Sequence, residues 1–208
     1  MSRICVITSD GAVYYAIVSR LRSAGLPFLS VLPGGAERGC GLVITTRSEA
    51  LSFKSPTFAL EDMDEDPDVA RGQILARLSE GGKTLLVGVD PGSRIGAAAF
   101  LGEARLASRT FNSKSGACSW VADLVERVPS RRSVVRIGDG DLGMANWIAG
   151  VLEAKLPDVA VEIVDESGTS RRPSVKGLPK DQGSAAKIAF RKGLPFRRET
   201  RASKSRSR

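Results

Sequence analysis

Leu85-Leu86-Val87-Gly88-Val89-Asp90-Pro91-Gly92-Ser93-Arg94-Ile95-Gly96 is the stretch whose reading decides the fold. A short apolar run ends in a carboxylate, breaks at Pro-Gly and resumes after Gly96, which is the pattern of a buried strand turning into a second strand. Asp90 therefore stands at the end of a core strand. A carboxylate there is costly unless a cation or hydrogen-bond donors compensate it, which marks it as a candidate site residue.

Downstream, strands are expected at Thr84–Asp90, Ile95–Leu101 and Arg105–Phe111, joined by tight turns into an antiparallel meander. A helix follows with Ala117, Trp120, Val121, Leu124, Val125 and Val128 at spacings of three and four, and Pro129 ends it. Strand Ser133–Ile137, a helix through Ala145, Ile148, Ala149, Leu152 and Leu156, strand Val159–Val164 and a last helix with Ala185, Ile188 and Ala189 complete a β-β-β-α-β-α-β-α series.

Upstream, Arg3–Thr8 reads as a strand and Ser9-Asp10-Gly11 as the opening of a helix with Val13, Ile17, Leu21 and Ala24 on one side, stopped by Gly25. Pro27–Leu32 and Leu42–Thr46 are two further strands, so the first sixty or so residues form a small α/β unit. Asp10 has two readings, a site carboxylate in a receiver-like arrangement or a helix cap, and the cap fits its neighbours better. The glycine-rich loop Gly34–Gly41 opens no helix and reads as a connection, not a phosphate cradle. Six acids stand among the eight residues 61–68, and Asp66-Pro67-Asp68 suits the start of a helix bearing Val69, Ile74, Leu75 and Leu78. The expected organisation is a small α/β domain with an acidic linker and helix over 1–80, a larger domain over 81–194 and a basic disordered tail over 195–208.

At 208 residues the chain can bury a core without disulfides or metals. None of its apolar runs, Ala97–Leu101 among them, approaches a membrane span, and the N-terminus lacks the apolar stretch of a signal peptide, so an intracellular, cytoplasmic protein with no membrane partner is expected. Cys5, Cys40 and Cys118 are odd in number and widely spaced, which argues against a disulfide framework and a zinc site and leaves three small buried or half-buried residues. The sequence has no histidine, which removes Ser-His-Asp and Cys-His catalysis and every His-containing metal site. The net charge is +8, yet residues 171–208 hold 13 of the 31 Lys and Arg against only Asp181 and Glu199. The basic footprint belongs to the C-terminal end and suggests an anionic partner.

Ligand sites in such sheets gather at the carboxyl ends of neighbouring strands, and the acids lie there. Asp90 ends the first strand of the larger domain, Asp139 the fourth and Asp165-Glu166 the fifth. Asp181 joins them from the first turn of the last helix, on the stripe of Ala185 and Ile188. Carboxylates converging without histidine or thiolate make the ligand set of Mg²⁺ or Mn²⁺. Each also has a structural reading: Asp141 is the better N-cap for its helix, Asp165 suits the turn at Ser167, Asp181 suits a cap, and Glu166 suits a pair with Arg171 or Arg172.

The element order and Val87–Gly96 resemble the RNase H-like superfamily and, within it, the RuvC and YqgF branch, whose first strand carries Asp in a Gly-x-Asp-Pro-Gly setting. Val164-Asp165-Glu166-Ser167-Gly168-Thr169-Ser170 is similar to the Asp-Glu-Arg-x-Thr segment of YqgF proteins, and Asp181-Gln182-Gly183-Ser184-Ala185-Ala186 to their Asp-x-x-Ala-Ala helix start. The resemblance covers residues 83–193 and implies an RNase H-like mixed sheet and a metal-dependent nuclease, a hydrolase of phosphodiester bonds in structured or branched nucleic acid. It implies two cations roughly 4 Å apart, held by Asp90, Asp139, Glu166 and Asp181. Asp139 replaces the Glu of a RuvC-like resolvase, and Gly168 a bulkier residue. Those departures keep open a protein that binds nucleic acid through this fold without cutting it, and sugar-kinase or chaperone ATPases, which share the core, are a third reading. Arg94, Arg171, Arg172, Lys176, Lys180, Lys187, Arg191, Lys192, Arg197 and Arg198 would meet the phosphates of DNA or structured RNA. A homodimer is left open.

Overall fold

Strand and helix boundaries in the first unit follow its capping residues. The computed structural model describes residues 3–79, 82–167 and 178–196. Asp10 accepts hydrogen bonds from the backbone N–H groups of Ala12 and Val13 at 2.7 and 3.2 Å, which starts helix α1 (Gly11–Ser23). Gly25, at φ 63°, ends the turn that follows, a conformation L side chains avoid. Asp66 caps helix α2 (Pro67–Arg77) in the same manner, with Pro67 in the first turn where its missing N–H costs nothing.

The chain divides into two compact units, Met1–Leu85 with Phe100–Ala107 and Asp123–Arg132, and Leu86–Ala99 with Ser108–Ala122 and Ser133–Arg208. The first contains strands β1 (Arg3–Val6), β2 (Leu29–Ser30), β3 (Cys40–Thr45) and β4 (Thr57–Ala59) in the order β2-β1-β3-β4, with every neighbouring pair parallel. Its core joins Ile4, Val6, Leu42, Ile44 and Phe58 of the sheet to Ile17 and Leu21 of α1 and Ala70 and Ile74 of α2. On the other face Ile7 and Val43 pack with Cys5. β4 was not expected from sequence, because three residues between Pro56 and a 3₁₀ turn carry no readable alternation.

Cys5 and Cys40, expected as unlinked residues, form a disulfide. Pairing of β1 with β3 brings their Cα atoms to 5.7 Å although they lie 35 residues apart, a proximity that cysteine spacing alone does not reveal. Cys118 is free and buried, and burial pushes its thiol pKa up.

A six-stranded sheet, most of whose residues belong to the second unit, is built on β5 (Thr84–Asp90), β6 (Ile95–Leu101), β7 (Ala104–Phe111), β8 (Arg132–Gly138), β9 (Ala160–Val164) and β10 (Leu194–Pro195), in the order β10-β9-β8-β5-β6-β7. Helices α3 (Lys114–Arg127), α4 (Leu142–Lys155) and α5 (Lys180–Ala189) connect them. β8 and β9 are parallel, whereas β10 returns antiparallel to β9. Pro195 fits there because an edge strand tolerates a missing donor. The N–H of Phe196 also donates to Val161 O, so 195 and 196, expected at the head of the tail, belong to the sheet edge. The rest of the expected tail lies outside the described residues, as do Arg171, Arg172 and Lys176. Every residue of β6 is buried. Among the described residues no helix is long and apolar enough to cross a membrane.

Helix α5 lies close against β5 and β6 because the sequence leaves glycines under it. A Cβ at Gly88 would overlap the carbonyl oxygen of Ala185, and one at Gly96 the carbonyl oxygen of Asp181. Two glycines thus set where the first turn of α5, and with it Asp181, is held.

Candidate functional site

Two places in the fold collect chemistry, one in each unit. In the second unit the carboxyl end of β5 delivers Asp90, half-buried, into the field of Glu166 and Asp181. Burial is the largest cause that raises its pKa, and the neighbouring Glu166 and then Asp181 add to it. A hydrogen bond with Ser184 and the charge of Lys180 oppose them, and the outcome is a carboxyl pushed up to about 6. Glu166, just beyond β9, lies over Gly138, where a side chain on β8 would collide with its carboxylate, and its Oε1 accepts the N–H of Gly140 at 3.1 Å.

The remaining acids have defined duties. Asp139 follows β8 and its Oδ1 accepts the N–H of Glu166 at 2.8 Å, tying the two strand ends together. Asp141 caps α4 through the N–H of Met144. Asp165 binds the N–H and hydroxyl of Ser167 at 2.7 and 2.8 Å, bonds that lower its pKa. Asp181 is not a cap: α5 starts at Lys180 behind Pro179, which makes no capping side-chain bond, and Asp181 faces the Arg94 Nε at 3.7 Å. Of the four acids read as a ligand set, Asp90, Glu166 and Asp181 thus share one electrostatic neighbourhood, and Asp139 supports Glu166 from beside it.

The donors are all oxygens, the kind that hard divalent cations take. As the side chains stand, however, no group of three or more acids or cysteines among the described residues is arranged to hold a metal ion. Arg94 already offers its charge to one of these acids, Asp181.

Among the cations read as phosphate contacts, Lys180 and Lys192 are exposed, Lys187 is half-buried in the last turn of α5, and Arg94 is largely exposed beside Asp181. Arg191 donates to the backbone oxygens of Asp165 and Ser167 at 2.7 and 3.3 Å and so braces the loop after β9. Arg171, Arg172, Lys176, Arg197 and Arg198 lie outside the described residues.

The second place is the carboxyl edge of β1 and β3 in the first unit. In a parallel sheet of order 2-1-3-4 the connections leave β1 and β3 in opposite directions, opening a crevice where ligands of such folds bind. Here Glu49 lies in it. Its Oε1 accepts the N–H of Ser9 at 2.8 Å and the Ser9 hydroxyl at 2.6 Å, and its Oε2 accepts the hydroxyls of Thr45 at 2.9 Å and Thr46 at 3.0 Å. Burial raises the carboxyl pKa, but the bonds from Ser9, Thr8 and Thr45 outweigh that and bring it down to about 2. Asp10, beside this cluster, caps α1 by accepting the N–H groups of Ala12 and Val13, as its cap reading expects. Sequence reasoning passed over Thr8, Ser9, Thr45, Thr46 and Glu49. The signal was hydroxyl pairs closing two neighbouring strands, visible only once the strands are known to be adjacent.

Comparison with known proteins changes the identification. No curated protein matches the chain. The resemblance to the RNase H-like superfamily and its RuvC and YqgF branch is corrected, and with it the nuclease function and the designation as a hydrolase. The family model that matches describes another kind of domain, in the part of the chain to which the resemblance assigned nothing. Short motifs such as Asp-Pro-Gly at a strand end recur wherever a buried strand turns, so they carry sheet geometry more securely than activity. Residues 3–78 are similar to a response regulator receiver-like domain.

Proposed function

We propose that this chain is a signalling protein of the response-regulator type, in which the receiver-like first unit governs a second unit that takes a divalent cation and an anionic polymer. The receiver-like match over residues 3–78 supports the regulatory role of the first unit. The observation that carries the second half is the state of Asp90. A carboxyl pushed up to about 6 by burial and by Glu166 and Asp181 is a site short of positive charge. A cation such as Mg²⁺ or Mn²⁺ supplies that charge. Asp90, Glu166 and Asp181 would hold it, with Asp181 exchanging Arg94 for the ion.

The exposed cations beside Asp90 and Asp181, Lys180 and Arg94, together with the exposed Lys192 after α5, suit phosphates, and nucleic acid is the partner proposed. No reaction is assigned to the site. In this reading the meander and the parallel β8–β9 pair serve as a platform that brings strand ends and the start of α5 together.

The test is a titration of Mn²⁺ into the full chain by calorimetry, paired with binding of labelled duplex DNA and structured RNA by fluorescence anisotropy. The reading expects saturable Mn²⁺ binding that Asp90→Asn abolishes, and nucleic-acid affinity that falls steeply with salt. Mn²⁺ uptake indifferent to Asp90→Asn, or no uptake at all, would remove the cation from the account.

A further inference from the structure

The disulfide of the first unit joins two sulfurs in unlike settings. Cys5, in β1, is completely buried and packs with Ile7 and Val43 against Val31 and Phe53. Cys40 opens β3 and is only partly buried, and the chain reaches it from a largely exposed loop over 32–39. The Cys40 N–H donates to Glu37 O at 3.0 Å, in a turn that Gly39 completes at φ 83°. The Glu37 carboxylate in turn accepts the N–H groups of Lys54 and Ser55, the latter at 2.8 Å. Pairing of β1 with β3 is regular from Ile4 with Leu42 to Val6 with Ile44, and its register shifts just ahead of this, between Arg3 and Ile4. The disulfide thus secures the amino end of β3 where the ladder itself is irregular.

We propose that Cys5–Cys40 is a thiol–disulfide exchange site, entered at Cys40 by a low-molecular-weight thiol or dithiol. A thiolate must reach the sulfur it attacks, and Cys40 is the member of the pair open to solvent. The incoming sulfur bonds to Cys40 Sγ, the bond between the two cysteines breaks, and its electron pair leaves on Cys5 Sγ, which takes a proton from solvent. With a monothiol the product is a mixed disulfide on Cys40. With a dithiol the second sulfur attacks the first and Cys40 leaves to become a protonated thiol. The reagent departs as its own disulfide, so two electrons pass from reagent to protein. Cys5 is left as a thiol among apolar side chains, where little thiolate forms, so it is slow to expel a group from Cys40. Opening the bond releases the amino end of β3 and the loop before it, while the regular part of the β1–β3 ladder stays paired. The inference rests on the first unit alone and stands or falls apart from the cation and nucleic-acid reading.

The experiment treats the folded, oxidised full chain with dithiothreitol or glutathione, quenches with acid, alkylates the free thiols and maps the products by mass spectrometry. Direct exchange predicts a reduction rate that hardly changes in urea below the unfolding transition. A rate that climbs with urea along the slope of global unfolding means that the bond is reached through the unfolded chain, and overturns the proposal. With glutathione the adduct is expected on Cys40 and the alkyl group on Cys5, and adducts shared evenly between the two overturn it. Cys118, buried and free, should stay unmodified before the quench and so reports that the chain remained folded. Cys5→Ala and Cys40→Ala each keep one sulfur of the pair and are offered oxidised glutathione. The Cys40 thiol should react about tenfold faster than the Cys5 thiol, and equal rates in the folded variants overturn the assignment. If either variant does not fold, the wild-type mapping decides. In the reduced wild type, amide hydrogen exchange should rise across residues 34–42 and hold steady in α1 and α2, whereas a general loss of protection contradicts a local release.

Discussion

Replacing Asp90 with Asn should make the protein more stable, and the size of the gain follows from the site. Asp90 sits at about 6 in the folded chain against an ordinary 3.8. At 1.36 kcal/mol per pH unit this amounts to about 3 kcal/mol for a fully shielded group. The carboxyl is only half-buried, and solvent screening reduces the figure to roughly 1–2 kcal/mol. The sign is opposite to that of a salt-bridged acid. Where both folded and unfolded chains are protonated, below 3.8, the group costs nothing; the cost grows as pH rises and is complete above about 6. Urea unfolding of wild type and Asp90→Asn should therefore show a higher midpoint for the variant well above pH 6 and no difference near the acid end, with equal m-values. Mg²⁺ should reverse the order by stabilising only the wild type. A variant that is less stable at high pH, or whose advantage persists unchanged into acid, would refute the reasoning that like charge and burial strain this edge.

Other outcomes follow from packing and cross-links. Gly96→Ala should cost about 1–3 kcal/mol and move the first turn of α5, because its Cβ meets the backbone of Asp181; thermal unfolding and the Mn²⁺ affinity of the variant check this together. Thiol titration in denaturant should find one reactive cysteine, Cys118, before reduction and all three after it. Reduction should lower stability by about 2–4 kcal/mol, the usual effect of a cross-link closing a loop of this kind. Arg136→Ala should be among the most damaging substitutions. Its Nε bonds Glu162 at 2.8 Å and its guanidinium bonds Ala189 O at 2.7 Å, both side chains being largely buried. Removing it leaves the largely buried Glu162 charge with the Gly193 N–H but without its cation, at a cost of about 3–5 kcal/mol, readable by denaturant unfolding.

The parts of the molecule legible in sequence are those with local signals. The apolar run into Asp90 and the break at Pro91-Gly92 located β5 and β6 at their observed limits, and Asp66-Pro67 located the start of α2. Asp141 could be assigned as a cap and Asp165 as a turn residue because their partners lie two or three residues away. Partners distant in sequence left no such trace. Cys5 meets Cys40 only through the pairing of β1 with β3, and Glu49 meets Ser9 only across the same two strand ends. β4 and β10 are two or three residues long, too short for any period to show. Asp139 had the right position for a ligand, but local geometry turned it onto the backbone of Glu166.

Regulation of the second unit by the first is the central claim, and duplex affinity in Glu49→Gln measures it most directly. Anisotropy at fixed salt and saturating Mg²⁺ compares this variant with the wild type, both as full chains, with Mn²⁺ titration confirming that the Asp90 edge is unaltered. The account predicts that altering the crevice at β1 and β3 changes nucleic-acid affinity by about fivefold or more, the lower end of ordinary coupling between sites. Equal affinities in two folded proteins with equal Mn²⁺ uptake would contradict it.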